Sequence, residues 1–553
     1  MIYPLLVMLV IVSCKSHVDV LLSQIDLISA NELIISRGSS SSSPVGSLEL
    51  TIGESVDLYS MISTEGTGDF SSTSVNWSIS NNLGTVTVLL NGSKATITAV
   101  NQGDGFIEIE KDGVSKKVLL NVSVPPLEVG EVIFVKSIGG DDKDIIKGIV
   151  EKGSTLYFCG STRGSYVVDG VAVDANTTQD EYMIGKLDLT SKNVQWINTA
   201  GKKEARSFCS EVDVDSVGNI YSVGTYYTDV NLGSGNLGSN GDRDIFIAKY
   251  NSLGSLSWAR AYGGTAGEEL NGMTILESDD VVTSGFFRAT VDFGLGNKVS
   301  AGDSDAFVFG VNSSGITQFS NTYGLGGKDY YWDVANDSSD NIYATGEMIG
   351  NVDIGGGALS QIGGRDIFLG KYDFSGNHIW SMNFGVVGDE YTRNLTVNST
   401  GEVFVAGQTK GSFNIGGAGH TNQGGTDLFL VKVDSSGTLS WARAFGSSAN
   451  DTSEDVIHDS EGNIIIVATF SNTINVGGSD LTSHGGKDIL VAKYDSNGNH
   501  IFSKNYGGVL DDSVQSLKLT SDGNLLLSGS FNGSFEGMVS NGSSDGFIMK
   551  IKN

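Results

Sequence analysis

From Glu131 onward the chain is written in short apolar runs, such as "IYSVGTY" at 220–226, "DIFIAKY" at 244–250 and "IIIVATF" at 464–470. Some runs are apolar at consecutive positions and others alternate, while no long stretch repeats its apolar residues at helical spacing. These are the patterns of β-strands buried on two faces or on one. Between the runs stand clusters such as "DSVGN", "DSSDN" and "DSEGN". An Asp or Asn that opens a tight turn caps a backbone amide, and Gly tolerates positive φ, so these clusters join consecutive runs as hairpins. The pattern predicts an all-β protein of many short strands.

The runs recur at a fixed period. "DRDIFIAKYNSLGSLSWARAYGG" begins at Asp242, and its frame returns so that Asp244, Asp305, Asp366, Asp427 and Asp488 follow one another at a constant 61 residues. Glu181 precedes this series and Asp545 follows it, at steps of 63 and 57, which makes seven units. Each unit supplies four strands, with a long Gly-, Ser- and Asn-rich loop between the second and third. A four-stranded unit that is apolar on both faces needs neighbours on both sides, and seven of them in a ring form a β-propeller. The last unit stops at Asn553, after its third strand, while "EVIFVKSIGG" at 131–140 matches the fourth strand of the other units. This displaced segment is expected to complete the seventh blade and close the ring.

Composition and charge narrow the function classes. The 75 glycines and 4 prolines would suit disorder, but the apolar runs recur throughout, which excludes it for most of the chain. With 64 acidic against 34 basic residues the net charge is −30, a surface that nucleic acid and anionic lipid repel. "MIYPLLVMLVIVSCKS" opens the chain with an apolar run too short to span a bilayer and suited to a signal peptide. Its end, Ile11-Val12-Ser13-Cys14, resembles the lipobox of bacterial lipoproteins, which implies cleavage before Cys14 and lipidation of that thiol. Cys159 and Cys209 are the remaining cysteines. In an exported chain two cysteines can pair, though spacing in sequence does not supply their separation in space.

The pieces "GNIYxxG", "DxFxxK" and "GxLxWxxxxGG", repeated in every unit, resemble the bacterial beta-propeller repeat (SBBP) family over about residues 131–553. The resemblance implies an exported or cell-surface propeller and transfers no catalytic residue. Ahead of it, the alternating runs around Trp77 and "ATITAVNQGDGFIEI" resemble a bacterial immunoglobulin-like group 2 domain, a module that serves as a stalk or adhesive element. The expected organisation is a lipoprotein signal peptide at 1–13, a tether at 14–45 containing "GSSSSSPVGS", an immunoglobulin-like β-sandwich at 46–124, a linker at 125–130 with Pro125-Pro126, and a seven-bladed propeller at 131–553.

Candidate chemistry is sparse. Asp366 and its equivalents form a ring of seven acids, six of them followed five residues on by Lys. The plainer reading has each carboxylate capping amides at the strand start while each lysine reaches water; the other is a cation-binding ring. Trp196, Trp258, Trp380 and Trp441, with Phe319 and Phe502 in the same slot, are expected to pack between blades. His378 and His500 share a slot and read as turn or surface residues, while His420, His458 and His484 are dispersed. No cofactor and no metal site is predicted. The long loops differ most between units, so recognition is expected there, with Tyr226, Tyr227, Phe286, Phe287 and Arg288 as the side chains to test. The functional expectation is a monomeric outer-membrane lipoprotein, surface-exposed, that binds an extracellular or periplasmic protein or glycan without catalysis. The alternatives are a propeller enzyme acting on carbohydrate and a structural envelope scaffold.

Overall fold

The computed structural model describes residues 127–553, apart from 176–178, 201–205, 234 and 418. Cys14, where lipidation is expected, and the segments expected to form the tether and an immunoglobulin-like domain lie outside the described residues. Glu128–Asn553 is one compact unit.

Seven four-stranded antiparallel sheets follow one another through this unit. Their first strands are Ile145–Lys152, Ser207–Val214, Glu269–Ile275, Lys328–Asn336, Glu390–Val397, Thr452–His458 and Asp512–Leu519. Each first strand lies beside the first strands of the neighbouring sheets, and the series closes, the last against the first. These seven strands therefore ring a central channel, and the other three strands of each sheet extend outward. Residues 128–553 form a seven-bladed β-propeller.

The seventh blade is built from both ends of the unit. Val132–Ile138 pairs antiparallel with Asp545–Ile551, so the strand order is closing strand, third, second, first. Backbone bonds from Gly130 to Lys552 and from Lys552 to Glu131 extend the pairing. The Gly130 carbonyl also accepts from Tyr506 Oη at 2.6 Å and Lys504 Nζ at 3.0 Å, which fastens the closing strand to blade six.

Blade-to-blade packing follows from the repeated tryptophan slot. Trp258, Trp380 and Trp441 donate from Nε1 to the carbonyls of Ser313, Ser435 and Ser496, each in the outer hairpin turn of the following blade. The glycine of that turn sits against the indole: a Cβ on Gly437 would meet Trp380 at 2.8 Å, and Gly437 has φ of 84°. One glycine thus satisfies both the turn and the ring that packs over it.

The ring aspartates cap loop amides. Asp244, Asp305, Asp427 and Asp488 accept from the backbone N–H four residues earlier at 2.7–2.9 Å. The lysines five residues on do not reach for water, as expected above. Lys371, Lys432, Lys493 and Lys550 turn toward Asp337, Glu402, Asp459 and Asp522 in the first hairpin of their own blade, at 2.8–3.7 Å. An acidic turn at that end gives each largely buried lysine a partner, which solvent would provide less well there.

The long loops differ from expectation. They fold back as small ribbons, such as Thr290–Asp292 with Asn297–Val299, and insert apolar side chains between the outer parts of adjacent blades. Val230, Phe293, Ile354, Phe413, Val476 and Phe535 are all buried this way. Phe413 stacks on Phe429 with centroids 4.9 Å apart. His378 and His500 are likewise not free surface residues: they lie beneath Gly355-Gly356 and Gly477-Gly478 of these loops.

Candidate functional site: the channel mouth

Every first strand carries an irregularity at the same place. The pairing with the second strand skips one residue in each blade, leaving Lys147, Ser210, Asn271, Trp332, Arg393, Glu454 and Gln515 without a cross-strand partner. A β-bulge of this kind re-aims the side chain that it isolates. Here all seven line one cavity of about 180 Å³ at the centre of the ring. A second cavity of about 310 Å³ shares Lys147, Ser210 and Glu269 with the first and continues it to the mouth beside blades one to three.

The bulge residues are all different, in units that otherwise repeat closely. Backbone carbonyls hold some of them in place, with Ser210 Oγ donating to Leu270 at 2.7 Å and Asn271 Nδ2 to Tyr331 at 2.9 Å. The next residue along each strand forms a lower layer containing Glu211, Asp333 and Asp455. Asp333 and Asp455 accept from the amides of Leu395 and Leu517 in the following blades, at 2.9 and 2.7 Å. Lys518 bonds Glu211 at 3.1 Å, reaching from blade seven to blade two. Burial works against the charge on Lys518, but Glu211, Asp455 and Asp213 outweigh it and keep the ammonium protonated. Burial also raises Glu454 to about 7, against the pull of Arg393 and Lys147, and it lowers Lys147.

Around the mouth, cations alternate with aromatic rings. The guanidinium of Arg206 lies 4.9 Å from the Phe208 ring and 5.0 Å from Tyr227. Arg243, ion-paired with Glu269 at 2.5 Å, lies 5.7 Å from Phe286, which meets Tyr330 edge-on at 4.6 Å. Arg365 binds Glu347 and sits between Tyr330 and Tyr391, while Arg393 covers Trp332 at 4.6 Å. Of the eight arginines after residue 127, Arg163, Arg206, Arg243, Arg288, Arg365 and Arg393 belong to this end of the ring. Each such contact contributes about 0.5–2 kcal/mol, so the collar is held rigid as well as charged.

The residues singled out from sequence fall on both sides of this boundary. Tyr226 and Phe287 are fully buried and unavailable to a ligand: Tyr226 lies among the apolar side chains between blades one and two, and Phe287 among those between blades two and three. Phe286 is also buried, as the platform under Arg243 and Arg288. Tyr227 lines the mouth cavity. Arg288 is half-buried, with its Nε unpartnered. Cys159 and Cys209 are joined by a disulfide that ties the second strand of blade one to the first strand of blade two. The bulge ring itself was missed. Comparing the units with one another would have shown it, because the scaffold positions repeat and these do not.

A second set of acids lies behind the collar. Asp144, Glu268, Glu390, Asp451 and Asp512 precede or open the first strands, and each accepts from the amide four residues earlier. Asp329 holds the same place in blade four. Burial raises all six: Asp144 and Asp451 to about 6, Glu390 and Asp512 to about 7, Glu268 and Asp329 to about 8. The nearby ring aspartate of the preceding blade adds to each shift. Because these pKa values lie above their unfolded ones, the folded chain binds more protons than the unfolded chain between about pH 4 and 8. Stability is therefore expected to fall as pH rises through that window. Thermal melts at pH 5.5, 7 and 9 should give a descending Tm, with Asp329→Asn reducing the descent; a flat or rising series would contradict the assignment.

No family model matches the chain. It is similar to the regulatory protein FlaEY of Caulobacter vibrioides, 23% identical over 500 residues, which are 84% of this chain and 49% of that protein. The chain thus spans about half the length of the curated relative it matches. Among solved structures it is similar to the Dos1 propeller (TM-score 0.39, 9% identity, 77% of this chain and 97% of that one). It is also similar to the polysaccharide lyase Uly1 (TM-score 0.39, 10% identity, 75% and 90%).

Proposed function

We propose that the protein is an exported, lipid-anchored member of the bacterial propeller-repeat group, in which an immunoglobulin-like stalk presents the propeller and the channel mouth binds a protein or glycan of the cell envelope. The observation that carries this reading is the ring of seven dissimilar bulge residues under a cation–aromatic collar, on a chain whose net charge is −30. Scaffold needs would make those seven positions alike. Concave sites lined by aromatics with a few converging polar groups are where ligands bind. The buried disulfide suits an oxidising compartment, which supports export.

Glu454 favours a second reading. A carboxyl group raised to about 7 beside Arg393 can serve as a general acid in a carbohydrate-acting enzyme.

Binding of the purified full chain to isolated envelope decides between the readings. Saturable binding that is lost in Arg393→Gln and Trp332→Ala, with no release of saccharide, is the expected result. Saccharide release abolished by Glu454→Gln would favour the enzyme. Protease shaving of intact cells, with permeabilised cells as the control, is expected to remove the propeller. Loss of signal only after permeabilisation would place it inside the envelope.

A further inference from the structure

Resting on the channel mouth as the binding site, we propose that its ligand is a carboxylate-bearing glycan, a chain of uronic acid residues, held by a terminal sugar that enters the bulge ring end-on. Two cations of that ring, Lys147 and Arg393, make no ion pair among the described residues, although acidic residues in the whole chain outnumber basic ones 64 to 34. They stand in blades one and five, on opposite sides of the central cavity, with blades six and seven between them on one side. Glu454 and Glu269 of the same cavity reach these two basic groups only beyond ion-pairing distance, so an anion bound between them would complete the site.

The rest of the ring selects among anions. Ser210, Asn271 and Gln515 offer neutral donors and acceptors suited to hydroxyl groups, and Trp332 adds apolar surface to the lining. Glu454 and Glu269 share the cavity, so a polyphosphate or sulfated chain of high charge density would meet repulsion as well as attraction. A sugar carrying one carboxylate and several hydroxyls satisfies both sets. The planar guanidinium of Arg393, already stacked on Trp332, presents paired N–H groups to a carboxylate. Below the ring, the Lys518–Glu211 bridge and Asp455 occupy the channel, so a polymer approaches from the mouth with its end leading.

Calorimetry on the full chain tests this with defined probes: galacturonate, mannuronate and guluronate tetrasaccharides, hyaluronan oligomers, each of these with its carboxyl groups reduced to alcohols, and oligoglutamate. At least one uronate series is expected to bind, with carboxyl reduction, Arg393→Lys and Lys147→Gln each weakening binding by roughly tenfold or more. Arg443→Gln, on an outer strand, should leave binding unchanged, and matched Tm values establish that the variants are folded. The proposal is overturned if no uronate binds, if carboxyl reduction leaves affinity intact, or if oligoglutamate binds as tightly as the best uronate. Envelope binding that stays sensitive to Arg393→Gln while every uronate fails would overturn the ligand class alone. Envelope binding indifferent to Arg393→Gln would overturn the mouth as the site.

Discussion

A chain that begins at Gly139 is expected to lose the cooperative unfolding transition that a chain beginning at Glu128 retains. The missing segment is the fourth strand of the seventh blade, so its loss reopens the ring at one junction. Phe134 and Ile138 bury there, and together they contribute about 3–6 kcal/mol of transfer free energy. The backbone groups of Asp545–Ile551 lose their partners as well, and blade six loses the Gly130 carbonyl that Tyr506 and Lys504 bond. A total stability of about 5–15 kcal/mol cannot absorb that loss with much margin. Circular dichroism melts of the two chains make the comparison, and a peptide of residues 128–140 added in trans should restore the transition. Equal melting temperatures would show that closure by this strand contributes little.

The second large effect is expected from the disulfide. Cys159 and Cys209 are 50 residues apart in sequence and fully buried between blades one and two. Closing a loop of that length removes about 4 kcal/mol of chain entropy from the unfolded state. For a unit of this size that corresponds to a fall in Tm of roughly 4–5 °C on removing the bridge. The Cys159→Ala/Cys209→Ala double variant should show the fall without added reductant. Wild type should match it only when dithiothreitol is present during unfolding, because both sulfurs are shielded in the folded state. A double variant as stable as wild type would mean that the junction is held by its packing alone. That junction is also the one where Ser207 stands in place of a buried acid.

Most of the scaffold was legible because the tile repeats. The 61-residue spacing, the Asx-opened turns and the displaced strand at 131–140 imply seven blades and their closure, as the structure has them. What failed to read was direction. Tyr226 and Phe287 each stand in an adjacent aromatic pair at the end of a strand, with Tyr227 and Phe286, and only the packing of blade on blade shows that they point inward. The lysine slots looked solvated because their partners, such as Asp459 for Lys493, lie a strand and a long loop earlier in the sequence and meet them only across the sheet. The bulge ring was hidden differently. A β-bulge has no sequence signature in a strand as regular as "EYTRNLTV", and seven unlike residues do not look like a motif. Their very dissimilarity, at one register of a repeated tile, was the available signal.

Hydrogen–deuterium exchange of the full chain, with and without saturating envelope ligand, tests the central claim most directly. Binding at the mouth predicts protection in the segments 206–211, 286–289, 330–333 and 391–395, drawn from four different blades. Protection confined to the outer ribbons at 228–241, 290–300 and 473–483, with those four segments unchanged, would contradict it.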